Sequence, residues 1–147
     1  MTKLELTIHC IPPKHTAQGS STILKNFKTG KFFIGKKANS KAVQAKTDLM
    51  ALLSQYAPEK ALEGPLRITI RWVYPWRKSE TKKNRAKGAM WCQTKSDCDN
   101  LVKMFNDCLT RLNFWHDDAQ VAILHFEKLY SDNPRIECQI DELDEEV

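Results

Sequence analysis

Two stretches of this chain alternate apolar and polar residues with the two-residue period of a half-buried strand. Leu4, Leu6, Ile8 and Cys10 alternate with Glu5, Thr7 and His9 until Pro12 and Pro13 stop the pattern. After Gly64 and Pro65, Leu66, Ile68, Ile70, Trp72 and Tyr74 alternate with Arg67, Thr69, Arg71 and Val73, which predicts a strand with one core face and one basic face. Helical spacing also occurs twice. Ala42, Ala45, Lys46, Leu49, Leu52, Leu53 and Tyr56 recur between a Ser40 N-cap and a Pro58 stop. Leu101, Met104, Phe105, Cys108, Leu109 and Leu112 give the stronger helix, with Asn100, Lys103 and Asp107 on its other face. From Ala119 to Tyr130 both alternating faces are largely apolar, as in a central strand, and the turn Ser131-Asp132-Asn133-Pro134 predicts a hairpin return through Ile136, Cys138 and Ile140.

The stretches from Lys14 to Gly30 and from Pro75 to Lys95 hold no sustained period and read as long loops, with a short strand at Phe32–Ile34. These elements predict one α+β domain over residues 1–147, a mixed β-sheet packed with two main helices, ending in an acidic, disordered tail at 141–147.

Composition narrows the class. A chain of 147 residues, 41% hydrophobic and 28% charged, is the size and make-up of one globular domain. No apolar run reaches the length of a membrane span, and the start MTKLELTIHC lacks the order of a signal peptide, so a cytoplasmic protein with no membrane partner is expected. The five cysteines, Cys10, Cys92, Cys98, Cys108 and Cys138, are scattered without the close pairs of a zinc or redox motif and read as reduced thiols.

The net charge of +5 is unevenly spread. No acid occurs from Leu6 to Thr47, which contains Lys14, Lys25, Lys28, Lys31, Lys36 and Lys37. A second basic run, Arg77, Lys78, Lys82, Lys83, Arg85, Lys87 and Lys95, is opposed only by Glu80. Segregated positive charge of this kind is the footprint of a polyanion binder, so both runs are candidate DNA contacts. Phe27, Phe32 and Phe33 lie among the lysines and could stack on unpaired bases.

Acids, by contrast, bracket the second helix: Asp97 and Asp99 at its start, Asp117 and Asp118 beyond its end. Hard oxygen donors at several positions, with no nearby His/Cys pair of zinc type, suit Mg²⁺ or Mn²⁺, which at a phosphate would polarise the P–O bond and activate water. Singly, each cluster also has a structural reading: Ser96 with Asp99 matches a capping box, and Asp117-Asp118 an ordinary turn. Whether Asp118 reaches Asp97 depends on how the strands pair. His116 reads as an exposed turn histidine, and Phe114 and Trp115 as packing anchors.

Two runs, Lys95-Ser96-Asp97-Cys98-Asp99-Asn100-Leu101-Val102-Lys103 and Trp115-His116-Asp117-Asp118-Ala119-Gln120-Val121, resemble the signature of RusA-like Holliday junction resolvases. The resemblance implies a bacterial or phage-encoded homodimer that binds four-way or other branched DNA and cuts two strands symmetrically by Mg²⁺-dependent hydrolysis, in recombination, repair or phage DNA processing. By position Asp97, Asp99 and Asp118 resemble the metal-binding acids, with Asp117 beside them, and Lys103 the lysine near the scissile phosphate. Cys98 stands where the family often has an apolar residue. The rival reading, a non-catalytic nucleic-acid-binding module, needs no metal.

Overall fold

The computed structural model describes residues 3–14, 21–26, 28–36, 40–94 and 96–147. Among these residues, seven strands and three helices follow in the order β1 (Lys3–Ile8), β2 (Ser21–Lys25), β3 (Phe32–Lys36), α1 (Ser40–Ser54), β4 (Leu66–Pro75), α2 (Lys82–Arg85), β5 (Ala89–Trp91), α3 (Cys98–Arg111), β6 (Val121–Ser131) and β7 (Arg135–Glu142). A 3₁₀ turn, Asp118–Gln120, leads into β6. The main sheet is five-stranded in the order β1-β7-β4-β6-β5, and β2 and β3 form a separate ribbon. The β4–β6 pair is parallel and the other pairs are antiparallel, so the fold is the expected α+β with one mixed main sheet.

Alternation placed β4 correctly. Leu66, Ile68, Ile70 and Trp72 are fully buried, and the apolar stripes of α1 (Leu49, Leu53) and α3 (Leu101, Met104, Phe105, Leu109) join them in one core with Phe114 and Trp115. Trp72 meets Phe105 edge-to-face at 5.6 Å. An ion pair of 2.5 Å between Lys46 on α1 and Asp107 on α3 ties the two helices together.

The other face of β4 is not the basic surface its sequence suggests. Arg67 pairs with Asp141 at 3.0 Å, and Arg71 with Glu127 at 2.8 Å and Glu137 at 3.8 Å, because β6 and β7 bring acids level with these arginines. Asp141 is therefore 4% exposed inside β7 and not part of a disordered tail, and Leu143 N–H bonds to Pro65 O at 2.8 Å.

Four further expectations change. Residues 131–134 do not close a hairpin: β6 and β7 lie on opposite sides of β4, and the turn carries the chain across the end of β4 at Pro75. The stretch after Lys14 contains β2, whose Ile23 and Leu24 pair with Ile34 and Phe33, and a turn at Gly30 (φ 71°), a conformation glycine adopts without steric cost. The stretch from Pro75 to Lys95 contains a one-turn helix and a three-residue strand, both too short to show a period. β6 is central only at its C-terminal end, since β5 covers Leu129–Ser131 alone.

Candidate active site

The segment before α3 is held by a lysine that sequence reading passed over. Lys128, on the helix-facing side of β6, donates from Nζ to Ser96 O at 2.8 Å and Thr94 O at 3.2 Å. Cys92 N–H bonds back to Lys128 O at 2.9 Å. The one signal for it was a lone cation among Leu124, Phe126 and Tyr130 on one face of the strand. Ser96 Oγ donates to Lys14 O and so does not cap α3. Asp97 takes the N-cap position, yet its carboxylate makes no cap hydrogen bond. The capping box expected of Ser96 and Asp99 is thus absent, because Ser96 lies one residue too early and is engaged elsewhere.

Asp97 and Asp99 are both exposed, and Lys103 is exposed one turn further along the same helix. Beside them Lys14, Tyr74, Arg77, Cys92, Thr94 and Tyr130 line a small cleft of about 70 Å³. Lys14 Nζ lies 5.9 Å from the Tyr74 ring centre, and the Arg77 guanidinium 5.3 Å from that of Tyr130. Burial pushes the Cys92 thiol up, but hydrogen bonds with Tyr130 and Thr94 and the charge of Lys128 outweigh it and bring the thiol below its ordinary range.

At the far end of α3 the second acid pair divides its labour. Asp117 Oδ1 accepts from Ala119 N–H at 2.8 Å, and Gln120 Oε1 accepts from Asp117 N–H at 2.9 Å and His116 N–H at 2.7 Å, a capping box on the 3₁₀ turn. The structural reading of the turn therefore holds for Asp117. Its pKa is lowered by the Ala119 N–H and then by a hydrogen bond with Asp118. Asp118, exposed, has its pKa raised, first by that same bond to the Asp117 carboxylate, then by partial desolvation and the Asp117 charge. Asp107 adds a weaker repulsion, and it is itself held by Lys46 and by Arg111 at 3.3 Å. His116 is the exposed turn residue expected, 2.8 Å from Glu63.

The two acid pairs do not meet within one chain. The fourteen residues of α3 span about 21 Å at 1.5 Å per residue. Independently, β6 covers about 23 Å from Val121, next to Asp118, to Lys128, which holds Ser96. No group of three or more metal-ligating side chains forms among the described residues.

The expected DNA contacts also divide. Lys14, Lys25, Lys28, Lys31, Lys78, Lys82, Lys83 and Lys87 are exposed. Lys25 Nζ lies 5.8 Å from the Phe32 ring centre, and Phe32 is 70% exposed, so the ribbon carries both a cation and an open aromatic face. Arg77 is paired with Glu80 at 3.1 Å, and Arg85 donates to Arg77 O and Glu80 O, so these two fold their own segment. Lys37, Lys95 and Phe27 lie outside the described residues, as do the side chains of Phe33 and Lys36.

Residues 4–141 match the family model Endodeoxyribonuclease RusA. This chain belongs to the RusA family. The match takes in both acid pairs, Lys103 and the five-stranded sheet apart from its end residues Lys3 and Glu142, and it makes the protein a nuclease of the endodeoxyribonuclease type. Among relatives, the uncharacterized protein YqaN of Bacillus subtilis (strain 168) is 36% identical over 123 residues, which is 80% of this chain and 84% of that protein. The crossover junction endodeoxyribonuclease rusA of Lactococcus phage r1t is 29% identical over 97 residues, 65% of this chain and 70% of the phage protein. No helix among the described residues is long and apolar enough to cross a membrane.

Proposed function

We propose that this RusA-family nuclease is a Mg²⁺- or Mn²⁺-dependent homodimer that resolves four-way DNA junctions by symmetric paired nicks. The observation that carries the reading is the state of Asp97 and Asp99: two exposed carboxylates at the start of α3, without a capping role, in a chain whose neighbouring segments are basic. Carboxylates repel the phosphates that the lysines attract unless a cation lies between them. Oxygen donors of this kind fit a hard divalent ion. Such an ion would supply Lewis-acid polarisation of a phosphodiester.

The residues themselves would divide the remaining work. Lys103 would offset charge that develops on the scissile phosphate. Lys128 holds the segment that positions Asp97. The exposed lysines of the β2–β3 ribbon and of residues 78–87 would track the DNA backbone, and Phe32 offers a stacking surface for a base exposed at a branch.

One protomer leaves Asp118 about 20 Å from Asp97 by the length of α3, whereas a two-fold partner can set its own Asp118 against Asp97 and Asp99. Two such composite sites per dimer match the two cuts that symmetric resolution needs.

The test uses labelled four-way, forked and linear DNA with Mg²⁺ and with EDTA, and mixed variants. Asp97→Asn and Asp118→Asn should each abolish cleavage as homodimers while still binding the junction. Mixed and re-annealed, they should form dimers with one intact composite site and produce single nicks. Absence of nicking in the mixture, with mixed dimers present, refutes the composite site. Cutting that persists in EDTA refutes the metal requirement.

A further inference from the structure

Three of the four tryptophans are built into the fold. Trp72 and Trp115 are fully buried and donate from their indole N–H to Tyr74 and Thr110, and Trp76 stacks on Tyr130 with ring centres 6.2 Å apart. Trp91 is 69% exposed and belongs neither to the core nor to the side chains packed against it. Among the described residues its ring makes no stacking or cation contact, and its indole N–H makes no hydrogen bond. A single apolar side chain on a surface is ordinary, but the position of this one is not. It is the last residue of β5, the outermost strand of the sheet, and stands level with Leu129. Opposed residues share a face and neighbours alternate, so Trp91 lies on the side of the sheet away from Lys128 and α3. Cys92 N–H bonds to Lys128 O at 2.9 Å and Lys128 Nζ to Ser96 O at 2.8 Å, which ties the end of β5 to the residue before Asp97. Six residues of chain span at most about 22 Å, so the ring and Asp97 stand near each other on either side of one rim. The surroundings suit a polyanion. Lys82, Lys83 and Lys87 are exposed in the segment leading to β5, and no acid occurs between Glu80 and Asp97. Glu80 is held by Arg77, and Glu127, on the same face as Leu129, is paired with Arg71 and His125.

We propose that Trp91 is a specificity-determining residue that reads the branch: its indole stacks on the open face of a base where the arms of the DNA diverge, while Asp97 lies at the backbone across the rim. The role rests on the junction-resolving reading above. In a continuous duplex both faces of every base are covered by its neighbours, so an indole finds a partner only by unstacking a step, at a cost in free energy. At a branch the last base of an arm has a free face, and arms that diverge pass on either side of the rim. Every base has such a face, so the contact selects branched over linear DNA with little regard to sequence. The hydrogen bonds through Lys128 make the contact useful to the cut, because they fix the distance from the stacked base to the segment that carries Asp97.

Binding of labelled four-way and linear DNA in EDTA, with wild type, Trp91→Ala and Trp91→Phe, tests this together with tryptophan fluorescence. The difference in emission between wild type and Trp91→Phe isolates the Trp91 signal. In the free protein that signal should be open to acrylamide; four-way DNA should quench it and shield it, and linear DNA should do neither. Trp91→Ala should weaken four-way binding by about five- to a hundredfold and leave linear binding unchanged, with wild-type circular dichroism, since the ring is outside the core. Trp91→Phe, which keeps an aromatic face, should retain most of the affinity. A wild type that binds the two DNAs alike overturns the junction-resolving reading, and this role with it. A wild type that prefers the junction while Trp91→Ala keeps that preference overturns the role of Trp91 alone, as does an equal loss on both DNAs, which marks a general contact. A Trp91 signal already closed to acrylamide without DNA shows another protein surface on the ring and overturns it too.

Discussion

Lys128→Met tests whether one ammonium group positions the catalytic segment. The side chain is half-buried and donates to the carbonyls of Thr94 and Ser96 at 3.2 and 2.8 Å. Hydrogen bonds from a charged donor contribute about 1.5–3 kcal/mol each when shielded. Water can replace part of the loss at a half-buried site, so we expect a net cost of about 2 kcal/mol, methionine preserving the length and packing of the stem. For a chain of this size that lowers the melting temperature by about 4–8 °C. The functional effect should exceed the stability effect in kind. Asp97 immediately follows Ser96, and a displacement of about 1 Å in a reacting constellation reduces rates by about a hundredfold. We therefore expect cleavage of a four-way junction in Mg²⁺ to fall by one to two orders of magnitude at a temperature where the variant is fully folded, with junction affinity nearly retained. The same substitution removes a charge that lowers the Cys92 thiol, so that thiol should react more slowly with an alkylating probe. Thermal denaturation, single-turnover cleavage and thiol alkylation measure the three effects. A variant with wild-type melting and wild-type cleavage would show that the segment keeps its place without Lys128 and would refute the argument.

Lys103→Ala should lower the single-turnover cleavage rate by about a hundred- to a thousandfold while binding changes little; an equal loss in binding would make it only a DNA contact. Lys82→Ala with Lys83→Ala should reduce the slope of log affinity against log salt by about 1.8, whereas Arg85→Ala, whose guanidinium is engaged by Arg77 O and Glu80 O, should destabilise its segment instead; an unchanged slope for the lysine pair would move the DNA path elsewhere. Asp118 binds its proton more tightly folded than unfolded, so its ionisation lowers stability as pH rises through the carboxylate range, fully above its raised folded value and not at all below about pH 3.9. Asn at this position can still donate to Asp117, so Asp118→Asn should melt higher than wild type at about pH 7 and no higher at about pH 3, and a gain of the same size at both would refute the assignment.

Local pattern carried much of this protein. The alternation around β4 and the spacing of Leu101, Met104, Phe105 and Leu109 on α3 are properties of a few consecutive residues, and burial followed them, except that Val73 on the other face of β4 is buried as well. The motif residues were legible for the same reason: Asp97, Asp99 and Lys103 lie within two turns of one helix, so their common placement was already implied by spacing. Elements too short to complete a period, α2 and β5, stayed hidden, as did β2 within its polar flanks.

What the tertiary structure alone decided depends on which strands are neighbours, and pairing links residues far apart in the chain. That β7 passes across the end of β4 and does not pair with β6 is what sets Asp141 against Arg67 and turns an expected basic face into a field of ion pairs. The shortness of β5 leaves residues 121–127 of β6 without a strand partner on that side among the described residues, although the sequence of β6 reads as central. Lys128 meets Ser96 only because β6 runs under the start of α3. Likewise, α3 keeps Asp97 and Asp118 at its two ends: spacing along the sequence put four acids in one motif, but a helix is rigid and about 21 Å long, so a single chain cannot fold them onto one ion.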